Sequence, residues 1–404
     1  MSDWFRASRK PAVFCAASLV FAFGLVPAAR AAGPTQEPQP PTPMSDLGGA
    51  RLAQPGVQSD LPPGTPPLPA VEGWAWVVAD ADTGKILAAK NPHWKLPPAS
   101  TLKMLFADTV LPKIDRNTTH QVTLADLQDL GEGSSLVGIK ENETYKVEDL
   151  WRGVFLRSGN DAVRVLCAMN GGVPTTVQQM NERAKQLQAG DTNVVSPDGY
   201  DAPGQVSSAY DLALFAREGL KNNDFRSYAS TKVADFPGVA GAKFQIQNTN
   251  TMLGQYPGMI GVKNGYTTNA GNTFVGGAQR GGHTLLVSLM HVEGKGKTYE
   301  DTGKLLDWGF AALAQAKPIG TLVEPLSSPG GKKDKDKGSK PTDAKAGESK
   351  TAQAASSSED KGFNWGLWAG LGVPAALVLG GGVLFALRRR EGDSGVRFED
   401  DILP

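Results

Sequence analysis

Apolar residues along the chain follow two periods, and the switches between them mark the order of the elements. The stretch WAWVVADADTGKILAAK has two short apolar runs around Asp82-Thr83-Gly84, which predicts a hairpin of strands Trp74–Ala79 and Lys85–Ala89. Between 100 and 220 the spacing changes to the three-and-four rhythm of helices. It predicts a helix starting near Ser100, then helices over Val147–Phe155, Asp161–Met169, Thr175–Gln188 and Ser208–Glu218. NTFVGGAQR and HTLLVSLMHVEG return to strand pattern on either side of Gly281-Gly282, and Tyr299–Ala316 is an amphipathic helix. Strands at both ends with helices between predict a mixed α/β (α+β) fold over 71–325. One sheet is built from the two ends of the domain, with a helical insertion packed beside it. A site is expected in the cleft between the two.

The ends of the chain have other patterns. Arg6, Arg9 and Lys10 precede an apolar run from Ala12 to Val26 and an A-x-A stretch at Ala29-Arg30-Ala31, so 1–31 reads as a secretory signal. Residues 32–70 are rich in Pro and Gln and are expected to form an extended, disordered spacer. Residues 326–362 are Lys, Asp, Gly, Ser and Ala with almost nothing to bury, as in a flexible linker. Trp365 to Leu387 is uncharged and exceeds the roughly 20 residues that cross a hydrocarbon core. Trp365 and Trp368 lie at one end of it and Arg388, Arg389 and Arg390 at the other, which predicts one span through a lipid bilayer. The arginines would be cytoplasmic, 388–404 a short tail, and the folded domain extracytoplasmic.

Composition narrows the chemistry. The 404 residues carry a formal net charge of zero, which gives no reason to expect nucleic acid as a partner. Of two cysteines, Cys15 lies in the signal and Cys167 in the apolar stretch AVRVLCAM, so no internal disulfide is expected and Cys167 reads as core. The four histidines show no metal-ligand spacing, and no metal or other cofactor is expected.

Three stretches hold candidate chemistry. In LPPASTLKMLF, Pro97 and Pro98 precede an apolar run, so a helix starting near Ser100 puts Ser100 and Lys103 on one face, about 5–6 Å apart at Cβ. A lysine buried there is pushed toward its neutral form, and a neutral amine beside a hydroxyl is a general base beside a nucleophile. A capping serine with a surface lysine gives the same spacing, and Ser358 to Lys361 repeats it in the linker. LRSGNDA presents Ser158 and Asn160 around Gly159; on its own it is also a common helix cap. In MIGVKNGYTTNAGNTF, Lys263-Asn264-Gly265 ends a short strand, where a cation beside a glycine can approach a substrate carboxylate.

In this order the three stretches are specific. They resemble the S-x-x-K, S-x-N and K-T-G sets of the penicillin-binding serine hydrolases. Within that group the chain is similar to the low-molecular-mass D-alanyl-D-alanine carboxypeptidases. DADTGKIL, SGNDA, SPDGYDAPGQVSSAYDLALFARE, NTNTMLGQYPG, AGNTFVGGAQR and LLDWGF extend the resemblance from about Trp74 to about Ala316. It implies the penicillin-binding-protein/β-lactamase-like fold and an acyl-enzyme mechanism on a peptidoglycan stem peptide, with β-lactam antibiotics acylating the same serine. By resemblance Ser100 is the nucleophile, Lys103 its base, and Ser158 a proton relay toward the leaving amine. Asn160 holds the substrate amide and helps fix Lys103, and Lys263 supplies positive field. The backbone N–H groups of Ser100 and Tyr266 form the oxyanion hole.

One departure stands out. The lysine motif is K-N-G, so Asn264 replaces the threonine whose hydroxyl helps bind the substrate carboxylate, while Gly265 is kept. This leaves three readings: an active D,D-carboxypeptidase, a catalytically weak relative that binds wall peptide or a protein, and a related D,D-endopeptidase, transpeptidase or β-lactamase.

Overall fold

The computed structural model describes residues 39–326. The signal, the span and the tail lie outside the described residues, as does the 326–362 linker beyond its first residue. In chain order the elements are β1 (Val57–Ser59), β2 (Ala75–Asp80), β3 (Lys85–Lys90), α1 (Lys103–Val110), β4 (Thr119–Gln121), β5 (Thr144–Lys146), α2 (Val147–Arg157), α3 (Asn160–Met169) and α4 (Val173–Gln186). They continue with α5 (Ala209–Gly219), α6 (Asn223–Ser230), β6 (Val233–Pro237), β7 (Lys243–Gln247), β8 (Met259–Thr267), β9 (Gly271–Arg280), β10 (His283–Val292), α7 (Lys295–Ala312) and β11 (Gly320–Thr321).

The main sheet runs β1-β3-β2-β10-β9-β8, with β11 also on β3, and every pairing is antiparallel. Strands from the two ends of the domain, β2 and β10, meet in the middle of the sheet, where Val77 pairs Ser288 and Ala79 pairs Leu286. This is the expected sheet built from two chain ends. Both faces of β2 are buried, so its sequence reads as a continuous apolar run. Trp76 and Val78 pack on one face with Leu305, Leu306 and Trp308 of α7. Ala75, Val77 and Ala79 pack on the other with the core of the helical lobe, including Leu102, Phe106 and Phe215. That alternation is the two-residue period of a strand read against two covers. The helices expected between 100 and 220 are present, with boundaries shifted by a few residues.

The structure corrects two expectations. From residue 39 the Pro-rich segment is part of the fold instead of a spacer, so the domain begins well before 71. Leu52 is fully buried, Val57 pairs Lys90, and Trp308 Nε1 donates to the carbonyl of Pro66 at 3.0 Å. The outer edge of β3 needs a partner, and an extended segment supplies one without regular periodicity. Lys263 sits near the middle of a nine-residue strand, not at the end of a short one. Two small hairpins, β4–β5 and β6–β7, and helix α6 carried too few periodic positions to be read from sequence.

Candidate active site

Ser100 lies in a 3₁₀ turn, Ala99–Leu102, that runs directly into α1. Ala99 just before it has φ 49°, a left-handed conformation that costs a non-glycine residue roughly 1–3 kcal/mol. Two glycines from distant segments enclose this turn. A Cβ on Gly199 would lie 2.0 Å from the carbonyl oxygen of Ala99, and one on Gly265 would lie 2.6 Å from the backbone N of Ser100. The Ser100 backbone is thus held against β8. α1 is anchored by Met104, Leu105, Phe106 and Val110, all fully buried.

Lys103, the first residue of α1, is 1% exposed. Its Nζ donates to Ser100 Oγ at 2.8 Å and to the carbonyl oxygen of Asp198 at 2.6 Å. Burial pulls its pKa down to about 8, against the opposing charges of Asp198 and Asp161. The serine–lysine pairing expected from sequence is therefore formed, in a site that favours a neutral amine.

Ser158 caps α2 in a left-handed conformation, φ 59° and ψ 27°, with its N–H bonded back to Gly153. Gly159 then leads into α3, which opens with Asn160. The carboxylate of Asp161 accepts from the backbone N–H groups of Val137, Gly138 and Ile139 at 3.0, 2.8 and 2.9 Å. This pins the preceding loop over the motif. Asn160 Nδ2 donates to Ser134 Oγ at 3.1 Å, and its buried Oδ1 has no partner among the described residues. The expectation that Asn160 helps fix Lys103 is corrected: no hydrogen bond joins them, and the Asp198 carbonyl holds the lysine instead.

Lys263 is 1% exposed and reaches across from β8. Its Nζ donates to Ser158 Oγ at 3.1 Å and to the carbonyl of Asn264 at 2.7 Å. Burial lowers its pKa well below the usual lysine value, and the charge of Lys103 lowers it further. Two buried lysines thus sit beside two serine hydroxyls. Asn264 Oδ1 accepts from Thr249 Oγ1 at 3.0 Å. Tyr266, 67% exposed, stands at the lip. A cleft of about 640 Å³ runs along these groups, lined among others by Ser100, Ser158, Asn264, Gly265 and Tyr266. A second cleft of about 550 Å³ lies on the helical lobe. Its Arg183 is paired with Asp108 at 2.6 Å and Glu218 at 3.1 Å, and it contains no serine or cysteine nucleophile.

Of the residues named from sequence, Ser100, Ser158, Asn264, Gly265 and Tyr266 line the cleft, while Lys103, Lys263 and Asn160 are buried; the sequence alone did not foresee that Asn160 would be buried. Sequence reasoning missed Asp198, Asp161 and Thr249. Asp198 contributes a backbone carbonyl, which has no side-chain signature. Its only trace was the turn Pro197-Asp198-Gly199.

Comparison with known proteins agrees with this geometry. The family model described as D-alanyl-D-alanine carboxypeptidase matches residues 63–294. D-alanyl-D-alanine carboxypeptidase DacB2 of Mycobacterium tuberculosis is 40% identical over 266 residues, covering 65% of this chain and 90% of that protein. DacD of Escherichia coli is 32% identical over 286 residues, covering 66% and 72%. Among solved structures, a D-alanyl-D-alanine carboxypeptidase from Mycobacterium tuberculosis aligns with a TM-score of 0.60 at 38% identity, covering 65% of this chain and 99% of that one. A Streptomyces DD-transpeptidase aligns with a TM-score of 0.59 at 25% identity, covering 61% and 100%. The fold and the cleft are those of the penicillin-binding serine peptidases. Within them, the chain belongs to the D-alanyl-D-alanine carboxypeptidase family.

Proposed function

We propose that this protein removes the terminal D-alanine from peptidoglycan stem pentapeptides through an acyl-enzyme on Ser100. The observation that carries the reading is the 2.8 Å contact between Lys103 and Ser100 in a buried site that brings the lysine pKa down to about 8. Neutral Lys103 takes the hydroxyl proton as Ser100 Oγ attacks the penultimate D-alanine carbonyl. The developing oxyanion falls between the backbone N–H groups of Ser100 and Tyr266, a reading supported by the tight approach to Ser100 of Gly265, the residue before Tyr266. Collapse of the intermediate breaks the peptide bond, and the leaving amine takes its proton through Ser158, which Lys263 holds. Water then cleaves the ester and regenerates Ser100. A β-lactam enters the same sequence and stays on the serine.

Trimming stem pentapeptides limits the donors for cross-linking and so bears on cell shape. We read 1–31 as a cleaved secretory signal and 365–387 as a single membrane span, which puts the catalytic domain on the extracytoplasmic side of the cell membrane. No helix among the described residues is long and apolar enough to cross a membrane. The span rests on sequence: its length, its lack of charge and the arginines that follow. Release of D-alanine from a pentapeptide by the wild-type protein, and not by Ser100→Ala, tests the activity. Release at an equal rate by both would overturn it.

A further inference from the structure

One end of the cleft carries charge that the mechanism above leaves unused. Arg157 closes α2 and Lys295 opens α7; both are exposed and both line the cleft. Neither makes a hydrogen bond or an ion pair among the described residues. Neighbouring cations are paired: Lys297 donates to Asp301 at 2.9 Å, and Arg152 donates to Asp149 at 3.0 Å and Glu148 at 2.8 Å. None of the residues lining the cleft is acidic. The cleft therefore presents two uncompensated positive charges to whatever enters it.

Thr249 ties the elements that carry both cations to Asn264. Its N–H donates to the carbonyl of Leu156, the residue before Arg157, at 3.0 Å. Its Oγ1 donates to Asn264 Oδ1 at 3.0 Å, and its carbonyl accepts from Tyr299 Oη, in the second turn of α7, at 3.0 Å. The end of α2, the asparagine and the start of α7 are thus tied into one patch. The same bond turns the amide oxygen of Asn264 toward Thr249 and leaves Nδ2 a donor without a partner among the described residues. The first turn of α7 has no side-chain cap, so its N–H groups add partial positive charge.

We propose that Arg157, together with Lys295, reads the carboxylate of the departing D-alanine, taking over the task that a threonine hydroxyl performs in a K-T-G motif. The proposal rests on the carboxypeptidase reading and assigns the specificity of that same site. A guanidinium offers paired N–H donors matched to a carboxylate, and the ammonium adds a point charge. Asn264 Nδ2 contributes a neutral donor to the same anion.

The test compares the full chain with Arg157→Gln, Lys295→Gln, the double variant and Arg157→Lys. Acylation rate constants are measured with benzylpenicillin and with its methyl ester, which lacks the carboxylate. In the double variant the acid-to-ester ratio is expected to fall about tenfold or more, through loss on the acid alone. Arg157→Lys recovers part of the ratio, and added salt erodes it in the wild type more than in the double variant. A double variant whose ratio stays within about twofold of wild type overturns the proposal, since a charge-assisted contact has a larger effect than that. D-alanine release from a pentapeptide by the wild type is run alongside. Its absence would sink the carboxypeptidase reading, while the penicillin ratio still judges the two cations.

Discussion

Lys263 Nζ reaches 3.1 Å across the cleft floor to Ser158 Oγ, joining an inner position of β8 to the left-handed cap of α2. The sheet and the helical lobe meet at this contact, and so do the two halves of the chemistry. On one side Lys103 faces Ser100, the proposed nucleophile, and on the other Lys263 faces Ser158, the proposed relay to the leaving group.

The buried state of Lys103 fixes a pH dependence. Its pKa is lowered to about 8 by burial, so the charged form dominates below that value and the base grows in with rising pH. Acylation by penicillin is expected to rise nearly tenfold per pH unit on the acid side and to level off above about 8. A stopped-flow or quenched pH profile that is flat through this range would contradict the assignment of the base. The same shift acts on stability. The unfolded chain binds this proton more tightly, so the cost of burial is full below about 8 and fades as pH rises toward the ordinary lysine value of 10.5. Lys103→Met is therefore expected to be inactive yet more stable at neutral pH, by about 1–3 kcal/mol in urea unfolding.

Gly265 is set by contact, not by backbone conformation. A Cβ there would approach the Ser100 backbone N to 2.6 Å. Gly265→Ala must push the nucleophile turn off β8 and disturb the oxyanion hole. We expect D-alanine release to fall by about 10²–10³, the cost of losing one oxyanion donor, with circular dichroism unchanged. A variant retaining more than about a tenth of the rate would show that the two segments have room to part.

Asp161 holds a loop by three backbone N–H bonds. Asp161→Ala leaves those donors buried without an acceptor, and we expect a loss of about 3 kcal/mol or more in unfolding free energy. D-alanine release should fall as well, because Ser134, on the same loop, is the partner of Asn160. Wild-type stability in this variant would mean that the loop is held by other contacts.

The N-terminal segment makes a sharper boundary prediction. His93 Nε2 lies 3.0 Å from the carbonyl oxygen of Leu47, Leu52 is buried, and β1 covers an edge of the sheet. A protein begun at residue 71 loses all three. It should be less stable than one begun at 39 by about 3–5 kcal/mol, as judged by burial of one leucine and loss of several hydrogen bonds. Equal melting temperatures would restore the segment to the status of a spacer.

How much of this was legible in sequence depended on the kind of signal each residue gives. The strands of β2, β3, β9 and β10 and helices α2 to α5 were readable because their apolar residues recur at fixed spacing. The segment from 39 to 70 was not, because Pro-rich extended chain packs its few apolar residues, Met44 and Leu52 among them, without a period. Ser100, Lys103, Ser158 and Lys263 were found from three motifs in order, since a hydroxyl beside a lysine leaves a trace in residue type. Asp198 acts through its carbonyl, and any residue supplies a carbonyl. Arg157 and Lys295 looked like ordinary surface cations until the fold placed both on one cleft and showed neither to have a partner among the described residues.

The most direct test of the account is the intact mass of the protein after incubation with benzylpenicillin, with the adduct mapped to its residue and D-alanine release from a pentapeptide followed in parallel. We predict one adduct, on Ser100, together with D-alanine release, and neither in Ser100→Ala. A folded wild-type protein that forms no adduct and releases no D-alanine, or an adduct that persists in Ser100→Ala, would contradict the claim that Ser100 is the nucleophile of a carboxypeptidase.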